Sequence, residues 1–293
     1  MIDTMKNCIK TELWKAVHDK MFFLALLLGM IVCTIQIIQV AIDVNALILR
    51  IHAAAEKGLH SGYTGISIFI NWIGIDGYYF GGKLFFYLWP VIAALPFGWS
   101  YAKERKDGVY NQIVTRCSAK QYYAAKYLSV FITGGLAIAI PVVLNLLILA
   151  MFCPYDIVNI MSLPNVFKFQ FLSALYYTKP WVYALIWCGI QFLWGGAAAC
   201  LCFVAGTRFR LSIITILFPF ASLFIIDCLY TMLRGTGLIP QLYNLMLSPM
   251  QLAQPIPIAG AANPAWAIFG ALGLLIAVSF LTGYRQVVKR ELV

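Results

Sequence analysis

The stretch AKERKDGVYNQIVTRCSAKQYYAAK, Ala102 to Lys126, is a polar island rich in charges of both signs, flanked by apolar segments of membrane-spanning length. It carries six Lys/Arg (Lys103, Arg105, Lys106, Arg116, Lys120 and Lys126) against two acids, Glu104 and Asp107. Ser118 to Gln121 fits a capping box, in which the Ser hydroxyl accepts from a free backbone N–H and the Gln side chain reaches back to the cap. Ser118 therefore starts a helix that runs through Lys126 into the next apolar segment. Asp107-Gly108 breaks the helix before it, and Val109 to Val114 forms a short helix lying across the membrane surface. The sequence of helix, surface helix and helix makes a rigid elbow with a positive collar, suited to passing force from a cytoplasmic partner into the bilayer.

The rest of the chain supplies that bilayer setting. Hydrophobic residues make up 62% and charged residues 11% of the 293, whereas soluble domains carry about 25% charged residues. The apolar residues collect in runs of about 20, enough to cross roughly 30 Å of hydrocarbon. The fold class expected is all-α, a polytopic membrane protein with six transmembrane helices forming one transmembrane domain over residues 1–293.

Met5, Ile9, Leu13 and Val17 recur every fourth residue, with Lys6, Lys10 and Lys15 on other faces, so residues 5–20 read as an interfacial amphipathic helix. The first span is Met21 to about Ala41; it is too long for the apolar region of a signal peptide and should stay uncleaved. Residues 42–83 form a long connection in which Asn45 to Glu56 can be helical, Gly58 to Gly65 is a break, and Ile66 to Ile75 is interfacial or re-entrant. The second span, 84–101, carries Pro90 and Pro96, which should bend it. The third, 127–152, contains Pro141. The fourth, 181–205, carries Gly195, Gly196 and Ala199, small residues that let helices approach closely. After a basic turn come the fifth, 211–229, with Pro219, a Pro- and Gly-rich outer segment, and the sixth, 264–283, which opens on a proline suited to a helix's first turn.

An even number of spans puts both termini on one side, together with the elbow. Fifteen of the 21 Lys/Arg lie on that side, and Arg50, Lys57, Lys83, Lys168, Lys179 and Arg234 on the other. Cytoplasmic loops hold the excess of Lys/Arg, so the expectation is a multi-pass protein of the cell membrane with both termini cytoplasmic. The net charge of +10 then reflects contact with anionic lipid headgroups and calls for no nucleic acid.

Motifs for chemistry within the chain are missing. There is no Gly-x-x-x-x-Gly-Lys-Ser/Thr phosphate loop, no His-Glu-x-x-His and no Gly-x-Ser-x-Gly. The three histidines, His18, His52 and His60, are split across the membrane, and the eight cysteines read as free thiols. No catalytic, cofactor-binding or metal-binding residue is assigned. Polar residues inside spans are the remaining candidates: Gln36, Asn145, Gln191 and Asp227. At about 1.5 Å per residue, Gln36, Asn145 and Asp227 fall in the outer part of the bilayer and Gln191 nearer its middle. They either line an exit path for a substrate or hydrogen-bond between helices.

Six spans, an interfacial N-terminal helix and the loop after the second span resemble the permease subunit of ABC exporters of the type-2 family. That family shows an acid, a Gly a few residues on, a short coupling helix, a Ser-led turn and a Lys before the third span; Glu104, Gly108, Ser118 and Lys126 match those positions. The chain departs from the pattern at Val109, where Thr is common, and at Arg116-Cys117, where a Pro-containing pair often occurs. The resemblance implies a separate ABC ATPase subunit that binds ATP and Mg, a second permease chain, identical or related, and outward movement of a peptide, lipid, glycan or drug-like substrate. It implies coupling through Glu104 as a docking contact, Gly108 as a pivot, and Tyr110, Ile113 and Val114 on the coupling helix. The alternatives are a secondary transporter acting alone, for which Asp227 lies too far from the midplane, and a non-transporting membrane sensor or assembly factor.

The charge asymmetry makes a topological prediction. In a background lacking the native cysteines, Lys57→Cys should react with a membrane-impermeant maleimide in intact cells and Lys106→Cys should react only after lysis. Labelling in the reverse order would invert the chain.

Overall fold

The computed structural model describes residues 2–58, 67–115, 117–153, 166, 169–209, 211–237, 245–255 and 261–288. Helices account for the regular structure: α1 Ile2–His18, α2 Lys20–Glu56, α3 Ile68–Asn71, α4 Phe80–Ala94, α5 Ser100–Lys106, α6 Val109–Val114, α7 Ala119–Leu149, α8 Ser173–Thr178, α9 Pro180–Arg208, α10 Ser212–Gly235, α11 Pro249–Leu252 and α12 Ala265–Val288. Among the described residues there is no strand, only an isolated bridge between Leu245 and Ala262. Five helices, α2, α7, α9, α10 and α12, are long and apolar enough to cross a membrane, and α4 is a shorter apolar helix. The protein is a multi-pass membrane protein.

Local stereochemistry explains the boundaries. Asp19 separates α1 from α2 by capping the latter, its Oδ1 accepting from Met21 N at 2.9 Å. Nothing at Ile42 to Asn45 interrupts the helix that follows. The first span and the segment Asn45 to Glu56 are therefore one continuous helix of 37 residues rather than two pieces. The second span is shorter than expected because it is broken. Pro90 stays inside α4, but the chain turns at Leu95 to Trp99, around Pro96, before α5 resumes. Proline removes a backbone donor, so the helical ladder loses a bond at Pro96, although Leu95 before it keeps helical angles of φ −59° and ψ −43°. Helices α9, α10 and α12 each run a few residues past the expected spans, to Arg208, Gly235 and Val288. Gly58 belongs to the turn that ends α2. The rest of the break expected there, most of the outer connection from Cys153 to Lys179, Arg210, and much of the Pro- and Gly-rich segment before α12 fall outside the described residues.

The centre of the molecule is the pairing of α7 with α9. A Cβ on Gly134 would collide with that of Ala199 and lie 2.9 Å from the Ala93 carbonyl, and one on Gly195 would lie 2.8 Å from the Gly134 carbonyl. Gly135 faces the Phe192 ring and Gly196 the Phe131 ring. Backbones this close leave no room for side chains, which is the approach Gly195, Gly196 and Ala199 were expected to allow. Around this pair α2 and α4 pack on one flank, with Gly81 seated on the backbone of Gln36. α10 and α12 are far less buried. All eight cysteines are free.

Two apolar clusters fill the bundle. The larger joins α2, α3, α4, α7, α9 and α12. The smaller, at the elbow end, is aromatic: Phe97, Tyr101, Tyr122, Tyr123, Tyr127 and Phe203 pack with Ala16 of α1 and Val287 of α12. The chain's first helix, the end of its last described helix and the elbow therefore share one end of the bundle.

Overpacking a tight core costs about 1–3 kcal/mol. Gly134→Val should lower the melting temperature of the detergent-solubilised protein by several degrees, while Gly273→Ala, which has open space around it, should leave it unchanged. Equal melting temperatures for the two variants would contradict the α7–α9 contact.

Candidate functional site

The elbow forms as its local sequence dictates. Ser118 caps α7 reciprocally: Gln121 N donates to Ser118 Oγ at 3.4 Å and Ser118 N donates to Gln121 Oε1 at 3.3 Å. Gly108 joins α5 to α6 with φ +73°, a left-handed conformation that side chains disfavour. Asp107 N closes α5 on the Lys103 carbonyl at 2.9 Å. The short helix expected over Val109 to Val114 is α6.

Beneath it lies a cluster of charges that the reading of single segments did not reveal. Lys126, at 0% exposure, sits about two turns into α7 and donates to Glu12 Oε2 of α1 at 2.9 Å and to Glu104 Oε1 of α5 at 2.6 Å. Its ammonium also lies 4.1 Å from the centre of the Phe97 ring, a cation–π contact. Tyr122 OH donates to Glu104 Oε2, and Lys15 donates to Glu12 Oε1 at 2.9 Å. A single ammonium thus ties the interfacial helix, the elbow and the third long segment together. Burial alone would raise the Glu12 carboxyl, but Lys126 and Lys15 hold it below its ordinary value. Burial, together with the Glu104 charge, pushes Tyr122 well above the usual phenol range and keeps it a donor.

The expected coupling residues divide accordingly. The Glu104 carboxylate points inward to Lys126 and Tyr122, and not to Arg105 or Lys106. The Glu104 side chain neutralises a buried cation and keeps 16% of its surface exposed. Tyr110 is half-buried, its ring edge-on to Tyr101 at 5.7 Å and to Tyr122 at 5.5 Å. Ile113 also packs on the aromatic cluster. Val109 and Gln112 are exposed. Val114 ends α6, and its side chain lies outside the described residues. Arg105 donates to the Thr207 carbonyl at 2.9 Å, fastening the elbow to the end of α9.

Three of the four polar span residues meet on a second structure. Ile66 to Ile75 was expected as interfacial or re-entrant; its described residues, 67–75, and Asp76 after them fold into the bundle and are largely buried. Gln36 Nε2 donates to the Asn71 carbonyl at 2.5 Å and to Asp76 Oδ2 at 3.3 Å. Asn145 Nδ2 donates to Gln36 Oε1 at 2.9 Å, and its Oδ1 accepts from Ile73 N at 3.1 Å. Gln191 Nε2 donates to the Gly74 carbonyl at 3.3 Å. Non-helical backbone at membrane depth must have its polar groups satisfied by protein, and these amides do so. Trp72 adds a bond from its indole N–H to the Val142 carbonyl at 3.0 Å, and Asp76 Oδ1 accepts from Tyr78 N and Tyr79 N at 2.7 and 3.1 Å. Asp227 stands apart on α10, partly exposed.

Glu12, Trp72 and Asp76 were not singled out from sequence. An acid among the lysines of α1, as Glu12 is beside Lys10 and Lys15, was the available signal for a buried partner.

No protein-family model matches this chain, and no curated protein matches it in sequence.

Removing one member of a buried ion pair costs about 3–5 kcal/mol. Lys126→Met should destabilise the protein by that order, and adding Glu12→Gln and Glu104→Gln should recover most of the loss. Because Glu12 is lowered from 4.5 on folding, its charge stabilises the fold above that pH, and the contribution disappears as pH falls through its folded value. The wild-type melting temperature should therefore drop more steeply below pH 4.5 than that of Glu12→Gln. Parallel pH profiles would show that Glu12 does not hold the charge.

Proposed function

We propose that this chain is the permease subunit of an ATP-driven ABC exporter of the type-2 kind. Two permease chains and a separate ABC ATPase, which carries the ATP and Mg, then make up the transporter. In this reading the chain crosses the membrane six times, with α4, the Pro96 break and α5 together making the second crossing. The elbow and both termini face the cytoplasm, and the substrate, a peptide, lipid, glycan or drug-like molecule, moves outward.

One observation carries this reading: a short helix, α6, joined through a left-handed glycine to α5, whose Glu104 is held by Lys126 of α7, a buried cation shared with Glu12 of α1. A force applied to α6 meets no soft joint before the aromatic cluster, because Tyr110 bears directly on Tyr101 and Tyr122. From there it reaches α9 through Phe203 and α12 through Tyr123, whose hydroxyl donates to the Phe280 carbonyl at 2.8 Å. Glu104 acts as a positioning residue for the elbow. The docking face of α6 is the exposed side that carries Val109 and Gln112.

The test uses pull-down of the ATPase subunit and ATP hydrolysis in lipid vesicles. Val109→Glu should weaken capture of the ATPase by about tenfold, equal to about 1.4 kcal/mol. Gly108→Pro, which forces φ near about −65° where the chain needs a positive value, should keep most of the capture but lose permease-stimulated hydrolysis. If both variants bind and hydrolyse as wild type does, the elbow is only a basic anchor at the lipid surface and the reading fails.

A further inference from the structure

At the elbow end two thiols from distant parts of the chain meet. The side chains of Cys8, on α1, and Cys117, between α6 and α7, hydrogen-bond to each other, and both are half-buried. The elements on either side of this contact are fixed. Cys117 N donates to the Ile113 carbonyl at 3.0 Å, and Ser118 beside it caps α7. On α1, Cys8 lies four residues before Glu12 and so shares its face of the helix, and Glu12 is the acid that Lys126 of α7 holds at 2.9 Å. α1 therefore meets the elbow and α7 at two levels, by the buried ion pair and, one helical turn earlier, by the thiol pair. The other cysteines have a different setting: Cys33, Cys153, Cys188, Cys200 and Cys202 are buried, and Cys228 is exposed on α10.

We propose that Cys8 and Cys117 form a reversible disulfide, made by exchange with a small-molecule disulfide, that clamps α1 to the joint between α6 and α7. The site has what such chemistry needs, two sulfurs in contact and partial access to solvent. Burial, with Cys117 beside it, pushes the Cys8 thiol up to about 11, so Cys8 keeps its proton and Cys117 is the first nucleophile. The Cys117 thiolate attacks one sulfur of the small disulfide, breaks its S–S bond and releases one thiolate. Cys8 then gives its proton to that thiolate as its sulfur attacks Cys117 and displaces the second. The two protein thiols lose two electrons and two protons, and the small disulfide becomes two thiols. The covalent link joins residues far apart in sequence, which restricts the unfolded chain and adds a tie to α1 that does not depend on charge. This inference is independent of the transporter reading.

The test treats the full-length protein in lipid nanodiscs with oxidised glutathione, blocks the remaining thiols with N-ethylmaleimide and maps peptides without reduction. Wild type should yield a Cys8–Cys117 linked peptide within one chain, which dithiothreitol abolishes. Cys8→Ser should stop at a glutathione adduct on Cys117. Oxidation should raise the melting temperature of wild type and leave that of Cys8→Ser unchanged. Glutathione adducts on both cysteines of the wild type with no linked peptide, or a link only between two chains, would overturn the disulfide. An equal change in melting temperature for the two proteins would overturn the clamp.

Discussion

A fully buried ammonium in a membrane protein has few tolerable environments, and the elbow end of this molecule is built around the one that Lys126 requires. Two carboxylates from different helices, a phenol and an aromatic ring surround it. Desolvating the charges is expensive, and the return comes only when the geometry is complete. The cluster is therefore close to all-or-none: α1 cannot leave without stranding Lys126, and the elbow cannot leave without stranding it as well. Helix α1 is thus an integral part of the bundle, even though its Trp14 is 62% exposed.

The opposite half of the molecule answers a different constraint, the need to satisfy backbone in a low-dielectric setting. The segment from Ser67 to Asp76 enters the bundle with most of its residues outside regular helix. Its peptide groups are met by Gln36, Asn145 and Gln191, amides that both donate and accept and carry no charge to desolvate. Their placement on three different long helices makes the re-entrant segment a keystone between α2, α7 and α9. As hydrogen-bond partners of that segment they hold structure in place whether or not a substrate also passes them.

The readable parts of this fold are those set by local stereochemistry. The capping box at Ser118, the turn at Gly108, the joint at Pro96 and the notch at Gly195-Gly196 each follow from what one residue type can do at one position. The unreadable parts depend on pairs far apart in the chain. Glu12 and Lys126 are separated by 114 residues, and no pattern in either segment names the other. The apolar repeat Met5, Ile9, Leu13, Val17 marked a face of α1 for the membrane interface, and it gave no sign that Glu12 and Ala16 form the face buried against the bundle. Similarly, the pairing of Glu104 with Lys126, 22 residues away, could not be seen from either segment. The length of α2 was missed for the opposite reason: no residue ends it, and absence of a stop signal is weak evidence.

The α7–α9 contact has a consequence for movement. Each helix carries a phenylalanine over the other's glycine, Phe131 above Gly196 and Phe192 above Gly135, with the two rings 6.0 Å apart. This is a mortise with two tenons. Sliding one helix along the other by even one residue, about 1.5 Å, would drive a ring out of its notch and against a neighbouring side chain. The pair behaves as a stator, a fixed frame that neither shears nor spreads in small steps. Any change of shape is thereby assigned to the members around it: the loosely packed α10 and α12, and the hinge where α4 gives way to α5.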